Sequence, residues 1–181
     1  MSVEEGDLKL LLKALQFSAL KHRNQRRKDV DASPYINHPI SLASILCNEA
    51  HITDIEVICG ALLHDTVEDT ETMPEELERE FGPTIKNIVM DVTDDTSLKR
   101  HERKQAQIDH AAHISDKAKL VKLADKISNL RDVSTNPPPD WSLQRRQEYF
   151  DWARKVIDQV RGVNPLLESI FDEICSDRPC Y

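Results

Sequence analysis

Nine consecutive residues, Ile55 to Leu63, are apolar almost all round, with Glu56 alone breaking the run near its start. A helix of that kind has no side to offer water and must lie at the centre of whatever the chain builds. Thr53 followed by Glu56 is a capping-box pattern that predicts where this helix opens. Other segments repeat at helical spacing. Leu8, Leu11, Leu12, Leu15 and Ala19 predict a first helix with a single apolar stripe turned to the core. Pro39 opens a second through Ile40, Ala43, Leu46 and Cys47, which places His38 at its entrance. Thr72 with Glu75 repeats the capping pattern, and Gly82-Pro83 stops the short helix that follows. Ile85, Ile88, Val89 and Val92 mark the next, and a highly charged helix is expected from Leu98 to His113.

Leu120, Val121, Leu123, Ala124, Ile127 and Leu130 form a second strongly apolar helix, in which Asp125 is an anomaly. Asn136-Pro137-Pro138-Pro139 reads as a loop, because proline removes a donor and disfavours helix at the residue before it. Beyond it a helical hairpin is expected, from Ser142 to Arg161, a stop at Gly162, and a last helix through Ile174. With only four glycines in 181 residues and no β-branched alternation, the fold class is all-α.

Composition narrows the function. The chain is of one-domain size, and its 39% hydrophobic and 31% charged residues suit a chain that folds alone. Its longest apolar stretch, Val57 to Leu63, is far short of a membrane span, which needs roughly 20 residues. The acidic opening Met1-Ser2-Val3-Glu4-Glu5 is unlike a signal or transit peptide, so a cytoplasmic or nucleocytoplasmic protein is expected. Thirty-two acidic against 24 basic side chains give a net charge of −8, which argues against nucleic acid as partner. Cys47, Cys59, Cys175 and Cys180 show no Cys-x-x-Cys pairing and read as free thiols.

The central helix runs into Ala61-Leu62-Leu63-His64-Asp65-Thr66-Val67-Glu68-Asp69, four titratable groups at the end of a buried element. Buried carboxylates need partners or a metal. One helical turn separates His64 from Glu68 and Asp65 from Asp69, so the two pairs are expected to stack and address one site. A His-Asp pair supplies two ligands, too few for a divalent cation, and the candidates for completing it are His38 and Asp125. Such a pair in isolation is more often a satisfied structural interaction. Here, however, each buried acid and helix-end histidine would need its own structural explanation. Mixed nitrogen and oxygen ligation suits a Mn²⁺-like ion better than structural zinc.

Lys21-His22-Arg23-Asn24-Gln25-Arg26-Arg27-Lys28, Tyr35-Ile36-Asn37-His38-Pro39, the segment Ala61 to Thr70, and Lys119-Leu120-Val121-Lys122-Leu123-Ala124-Asp125-Lys126 carry a recognisable pattern. The chain resembles the HD superfamily of metal-dependent phosphohydrolases and, within it, the hydrolase half of the RelA/SpoT alarmone enzymes, over roughly residues 15–160. It is most similar to their small stand-alone animal branch, the metazoan SpoT homologs, which lack the synthetase and regulatory domains. The resemblance implies one HD domain over residues 1–181, a bundle of about eight to ten helices with its hairpin at 142–175. The implied activity is Mn²⁺-dependent hydrolysis of guanosine 3′,5′-bis(diphosphate) to GDP and pyrophosphate, and of the pentaphosphate to GTP. His38, His64, Asp65 and Asp125 match the family's metal ligands, and Glu68 and Asp69 its catalytic acidic pair. Arg27 and Lys28 match guanine stacking and phosphate contact; Lys122, Asn129 and Tyr149 are further candidates for phosphate, nucleoside and base contacts.

The basic run supplies five Lys or Arg in eight residues, the local cations a polyanionic substrate requires, although it would also suit a solvated helix end. Thr96, where the branch usually has lysine, and Pro137 to Pro139 depart from the pattern, with Arg100, Arg103 and Lys104 placed to compensate. His110 and His113 read as a solvated polar face rather than a metal site. Among the aromatic residues Trp141, Tyr149, Phe150 and Trp152, core packing is the default and Tyr149 alone is nominated for ligand. Two alternatives remain open: removal of the 2′-phosphate of NADPH to give NADH, and a catalytically silent nucleotide-sensing module. A purely helical scaffold would leave Asp125 unexplained. The expected partner is a small nucleotide, with no membrane or nucleic acid, and homo-oligomerisation stays open.

Overall fold

The computed structural model describes residues 5–180, so the acidic start at residues 1–4 lies outside the described residues. These fold into nine α-helices and one π-helical turn, with no strand beyond an isolated antiparallel bridge between Arg26 and Pro34. The elements are α1 (Glu5–Lys21), α2 (Asn37–Ser44) continued by the π turn Ile45–Glu49, α3 (Ile55–Leu63), α4 (Thr66–Asp69) and α5 (Pro74–Val92). They continue with α6 (Arg100–Ala111), α7 (Asp116–Thr135), α8 (Leu143–Ile157) and α9 (Pro165–Ser176). No helix is long and apolar enough to cross a membrane among the described residues.

The apolar run is the axis of the molecule. α3 packs against α1, α2, α5 and α7. Its Val57 and Ala61 enter one core cluster with Leu42, Leu46, Leu123, Ile127, Phe150 and Phe171, while Cys59, Leu62 and Leu63 enter a second with Ala14, Leu77, Phe81 and Val89. A helix serving two cores needs apolar residues on every side, which is the pattern its sequence carries. Gly60 permits the approach of α5: a Cβ there would lie 2.6 Å from Ile88 Cγ2.

Four local expectations need correction. The α1 stripe is rotated, because close packing on α3 seats the small residues Ala14 and Ser18 at the contact and leaves Leu8 and Leu12 exposed. The N-cap of α3 is Asp54, whose carboxylate accepts from the N–H of Glu56, rather than Thr53. α5 starts at Pro74 without a side-chain cap, and Thr72 Oγ1 instead pairs with Thr70 Oγ1. α8 stops at Ile157, four residues early, the N–H of its C-cap Asp158 donating to the carbonyl of Arg154 one turn back. The expected break at Gly82 is present, at φ 82°, and Gly162 ends the α8 connection at φ 96°, both in the left-handed region that glycine enters freely.

Candidate metal and nucleotide site

α2, α3 and α7 each deliver one part of a single cluster. His38 lies in the first turn of α2, which opens at Asn37, two residues before Pro39. Its Nδ1 faces Ser128 Oγ of α7 at 3.3 Å, and that hydroxyl donates in turn to Ser41 Oγ at 3.3 Å. His64 caps the C-terminal end of α3, where Nδ1 donates to the carbonyl of Ala61 at 2.8 Å. Both rings thus have Nδ1 occupied and Nε2 turned inward, the arrangement that orients histidine ligands.

Asp65 corrects the expectation of a continuous helix. At φ −99° and ψ 1° it bends the chain between α3 and α4, so its carboxylate turns back to bring Oδ2 within 2.8 Å of His64 Nε2. Asp125, mid-way along α7, brings Oδ1 within 3.2 Å of His38 Nε2 and 4.0 Å of His64 Nε2. Asn129 Nδ2 donates to that oxygen at 2.6 Å, Lys126 Nζ donates to Oδ2 at 2.8 Å, and Tyr35 Oη donates to Asp65 Oδ2.

The residues present fit a divalent cation. His64 Nε2 is buried without an aligned hydrogen bond, although Asp65 Oδ2 stands at contact distance. Unaligned approach of a ring nitrogen and carboxylate oxygens is what ligands directed at one shared point would give. His38, His64 and Asp65 can each offer an atom with all three within 4.8 Å, the only such metal-competent group among the described residues. His110 and His113 are both exposed.

Burial and charge act in opposite directions on these groups. Burial pushes His38 down toward the neutral form a ligand requires, against the opposing pull of Asp125. At His64 burial also lowers the value, but the carboxylates of Asp65 and Asp125 outweigh it and raise the imidazole to about 9. Burial would raise Asp65 and Asp125; instead His64 and His38 hold Asp65 below the usual carboxylate range, and Lys126 with the same histidines does so for Asp125.

Glu68 and Asp69 part company. Glu68 lines the same cavity of about 180 Å³ as His38, His64, Asp65 and Asp125, and its Oε2 accepts from the backbone N–H of Asp94 at 3.0 Å. Burial pushes its carboxyl up to about 7, with the carboxylates of Asp94, Asp65 and Asp69 adding to the effect. Asp69 is exposed, is held by Gln25 Nε2 at 2.7 Å, and lines an adjoining outer cavity of about 340 Å³. As consecutive residues of α4 the two acids point about 100° apart, which sends them to different cavities.

The substrate candidates divide the same way. Lys122 is buried in the inner cavity, where Nζ donates to the carbonyl of Val92 at 3.1 Å and burial lowers its pKa. Lys28 is exposed in the outer cavity. Arg27, Asn129, Tyr149 and Tyr35 line both. Arg27 donates to Asn129 Oδ1 at 3.2 Å and pairs with Asp132, 5.7 Å from the centre of the Tyr35 ring. The hydroxyl of Tyr149 is raised to about 12 by burial. The basic run is less concentrated on the site than expected. Lys21 turns away to Glu76 at 2.9 Å and Arg23 bonds the carbonyl of Leu20 in α1, while Arg26 bonds the carbonyls of Arg23 and Gln25 at the border of the outer cavity. Of the departures, Pro138 does border the outer cavity; Arg100 and Lys104 line a further cleft with Trp141, Arg145 and Tyr149, and Thr96 borders none of these.

Lys126, Tyr35 and Trp152 are site residues that sequence reasoning passes over. Lys126, only 3% exposed, is sandwiched between Asp125 and the Trp152 ring, 4.6 Å from its centre. Two opposite charges adjacent on an otherwise apolar helix are its available signal. Trp152 packs against the main core, as its default reading expects, and also lines the inner cavity.

Residues 14–151 match the HD-domain family. The MESH1 guanosine-3′,5′-bis(diphosphate) 3′-pyrophosphohydrolases of Danio rerio and Homo sapiens are 54% and 52% identical to this chain, over 93% of it and 94% of each relative. The chain belongs to the HD-domain family, in its MESH1 group. A solved structure described as a metazoan ortholog of SpoT that hydrolyzes ppGpp superposes on this HD domain with a TM-score of 0.92, at 48% identity and 98% coverage of both chains. The bundle and its His-His-Asp cluster are thus those of an HD domain with a place for a divalent metal.

Proposed function

We infer that this chain hydrolyses guanosine 3′,5′-bis(diphosphate) to GDP and pyrophosphate, using Mn²⁺ held by His38, His64, Asp65 and Asp125. One observation carries the reading: two imidazole nitrogens and two carboxylates converge in a cavity that also holds Glu68, in a chain whose relatives bear that hydrolase's name. Mixed imidazole and carboxylate donors favour Mn²⁺ over a thiolate-seeking ion. When bound, the cation supplies Lewis acidity at a phosphoryl oxygen and a more acidic water.

The chain's own residues supply the rest. Glu68, raised to about 7, is matched to accept a proton from the attacking water near neutral pH. That water's oxygen bonds to the phosphorus on ribose O3′, the P–O3′ bond breaks, and O3′ leaves with a proton. Lys122 and Lys126 face the inner cavity, where the pyrophosphate charge develops. Arg27, Lys28, Asn129 and Tyr149 line the way to the outer cavity, which takes the nucleoside. Asp69, held by Gln25, borders this second chamber and bears on substrate placement.

The test is to incubate the purified chain and Mn²⁺ with guanosine 3′,5′-bis(diphosphate) or with NADPH, and to measure pyrophosphate and orthophosphate. Pyrophosphate from the first nucleotide is the expected result. Orthophosphate from NADPH alone would replace this reading with the phosphatase, and release from neither would leave a silent sensing module.

A further inference from the structure

Glu68 receives one hydrogen bond among the described residues, from the backbone N–H of Asp94 at 3.0 Å. Asp94 stands just past the end of α5, in the loop that leads to α6, so nothing within its own helix fixes that N–H. Gln107 does. From α6 its Nε2 donates to Asp94 Oδ2 at 2.5 Å. A carboxylate only accepts, so the amide must present its nitrogen there, and its oxygen is left buried with no partner. An unpaired buried amide oxygen is costly, and on a largely solvated helix any apolar side chain would avoid the cost. α6 itself is tied to α8 by Trp152 Nε1, which donates to the carbonyl of Lys104 at 3.0 Å. Trp152, Gln107, Asp94 and Glu68 all line the inner cavity.

We propose that Gln107 is a positioning residue for hydrolysis: by anchoring the Asp94 side chain it fixes the backbone N–H that orients the Glu68 carboxylate. The proposal rests on the water-activating role given to Glu68 above. It differs from a merely structural tie between α5 and α6, which would act on stability and metal affinity as much as on turnover.

The test uses the full chain with Mn²⁺ and guanosine 3′,5′-bis(diphosphate). Gln107→Met keeps length and loses the amide; Asp94→Ala cuts the same link from the other side; Asp94→Asn keeps an oxygen for Gln107 and the backbone N–H. Gln107→Met and Asp94→Ala should each lower kcat by on the order of 10- to 100-fold, with KM and Mn²⁺ affinity held within about twofold. Asp94→Asn should retain more kcat than Asp94→Ala, with the acid limb of its pH profile moved to lower pH because a charge that raises Glu68 is gone. In a Glu68→Gln background, followed by single turnover at high enzyme, Gln107→Met should add no further loss. Unchanged kcat in Gln107→Met beside an inactive Glu68→Gln would overturn the proposal alone, as would an equal loss in both backgrounds. Full hydrolysis by Glu68→Gln would instead remove the role of Glu68, and the proposal with it.

Discussion

The inner and outer cavities share a wall, Arg27, Tyr35, Asn129 and Tyr149, yet they are built on different terms. The inner one takes its histidines, Asp125 and lysines from α3 and from α2 and α7, which pack on it, and its charges answer one another: His38 with Asp125, His64 with Asp65, Asp125 with Lys126. The outer one is made largely of loop, residues 25–29 and 136–141, with exposed ions such as Lys28 and Asp69. Catalytic groups need fixed geometry and low dielectric, which buried helices provide. Recognition of a polyanion tolerates solvated charges on adaptable loops. The two cavities should therefore fail in different ways when their residues are changed.

The largest effect belongs to the inner cavity. Asp125→Asn keeps the shape and the acceptor for Asn129 but removes the charge beside His38, His64 and Lys126. Calorimetry with Mn²⁺ should show binding lost or severely weakened, and pyrophosphate release should fall by several powers of ten. Retained Mn²⁺ binding would break the comparison at its base. Glu68→Gln comes next: kcat should fall about 10²- to 10⁴-fold while Mn²⁺ still binds. Its pH dependence has a definite sign. A base must be deprotonated to act, and Glu68 is raised to about 7, so kcat of the parent should fall as pH drops below 7. A flat profile from pH 5 to 8 would remove Glu68 from the chemistry.

The same contrast explains what could be read from the chain. The helices and the meeting of His38, His64, Asp65 and Asp125 in one cavity were legible because burial imposes patterns: Ile55 to Leu63 is apolar almost all round, and Asp125 stands out on α7 as a charge among apolar neighbours. The bend at Asp65 was not legible, since His-Asp-Thr-Val-Glu-Asp carries no glycine or proline to announce it. That one turn aims α4, and both of its acids, away from the line of α3. The contribution of Lys126 was hidden because lysine is expected at the surface, and only the partner carboxylate beside it makes burial tolerable. The basic run misled for the opposite reason. Its composition is real, but which charges face the site is set by tertiary partners, Glu76 for Lys21 and Asp132 for Arg27.

Outer-cavity changes should act on KM. Arg27→Gln loses the guanidinium pairing with Asp132 and a cation that borders both chambers. In steady-state assays KM should rise about tenfold, with kcat within about threefold. A kcat collapse with unchanged KM would move Arg27 into the catalytic group.

The smallest effect is the most direct test of how the two cavities differ in solvent access. Lys28 is exposed. Its attraction for a polyanion therefore acts through water and is screened over a distance of about 10 Å at about 0.1 M salt. Lys122 and Lys126 are 7% and 3% exposed, where salt screens far less. Raising ionic strength from about 0.05 to about 0.5 M with a monovalent salt should therefore raise KM several-fold and barely move kcat. Lys28→Gln should raise KM at low salt by a few-fold, about what one exposed contact is worth, and should flatten the salt dependence. If kcat rather than KM follows the salt, the inner charges are open to solvent, and the division of labour between buried helices and exposed loop does not hold.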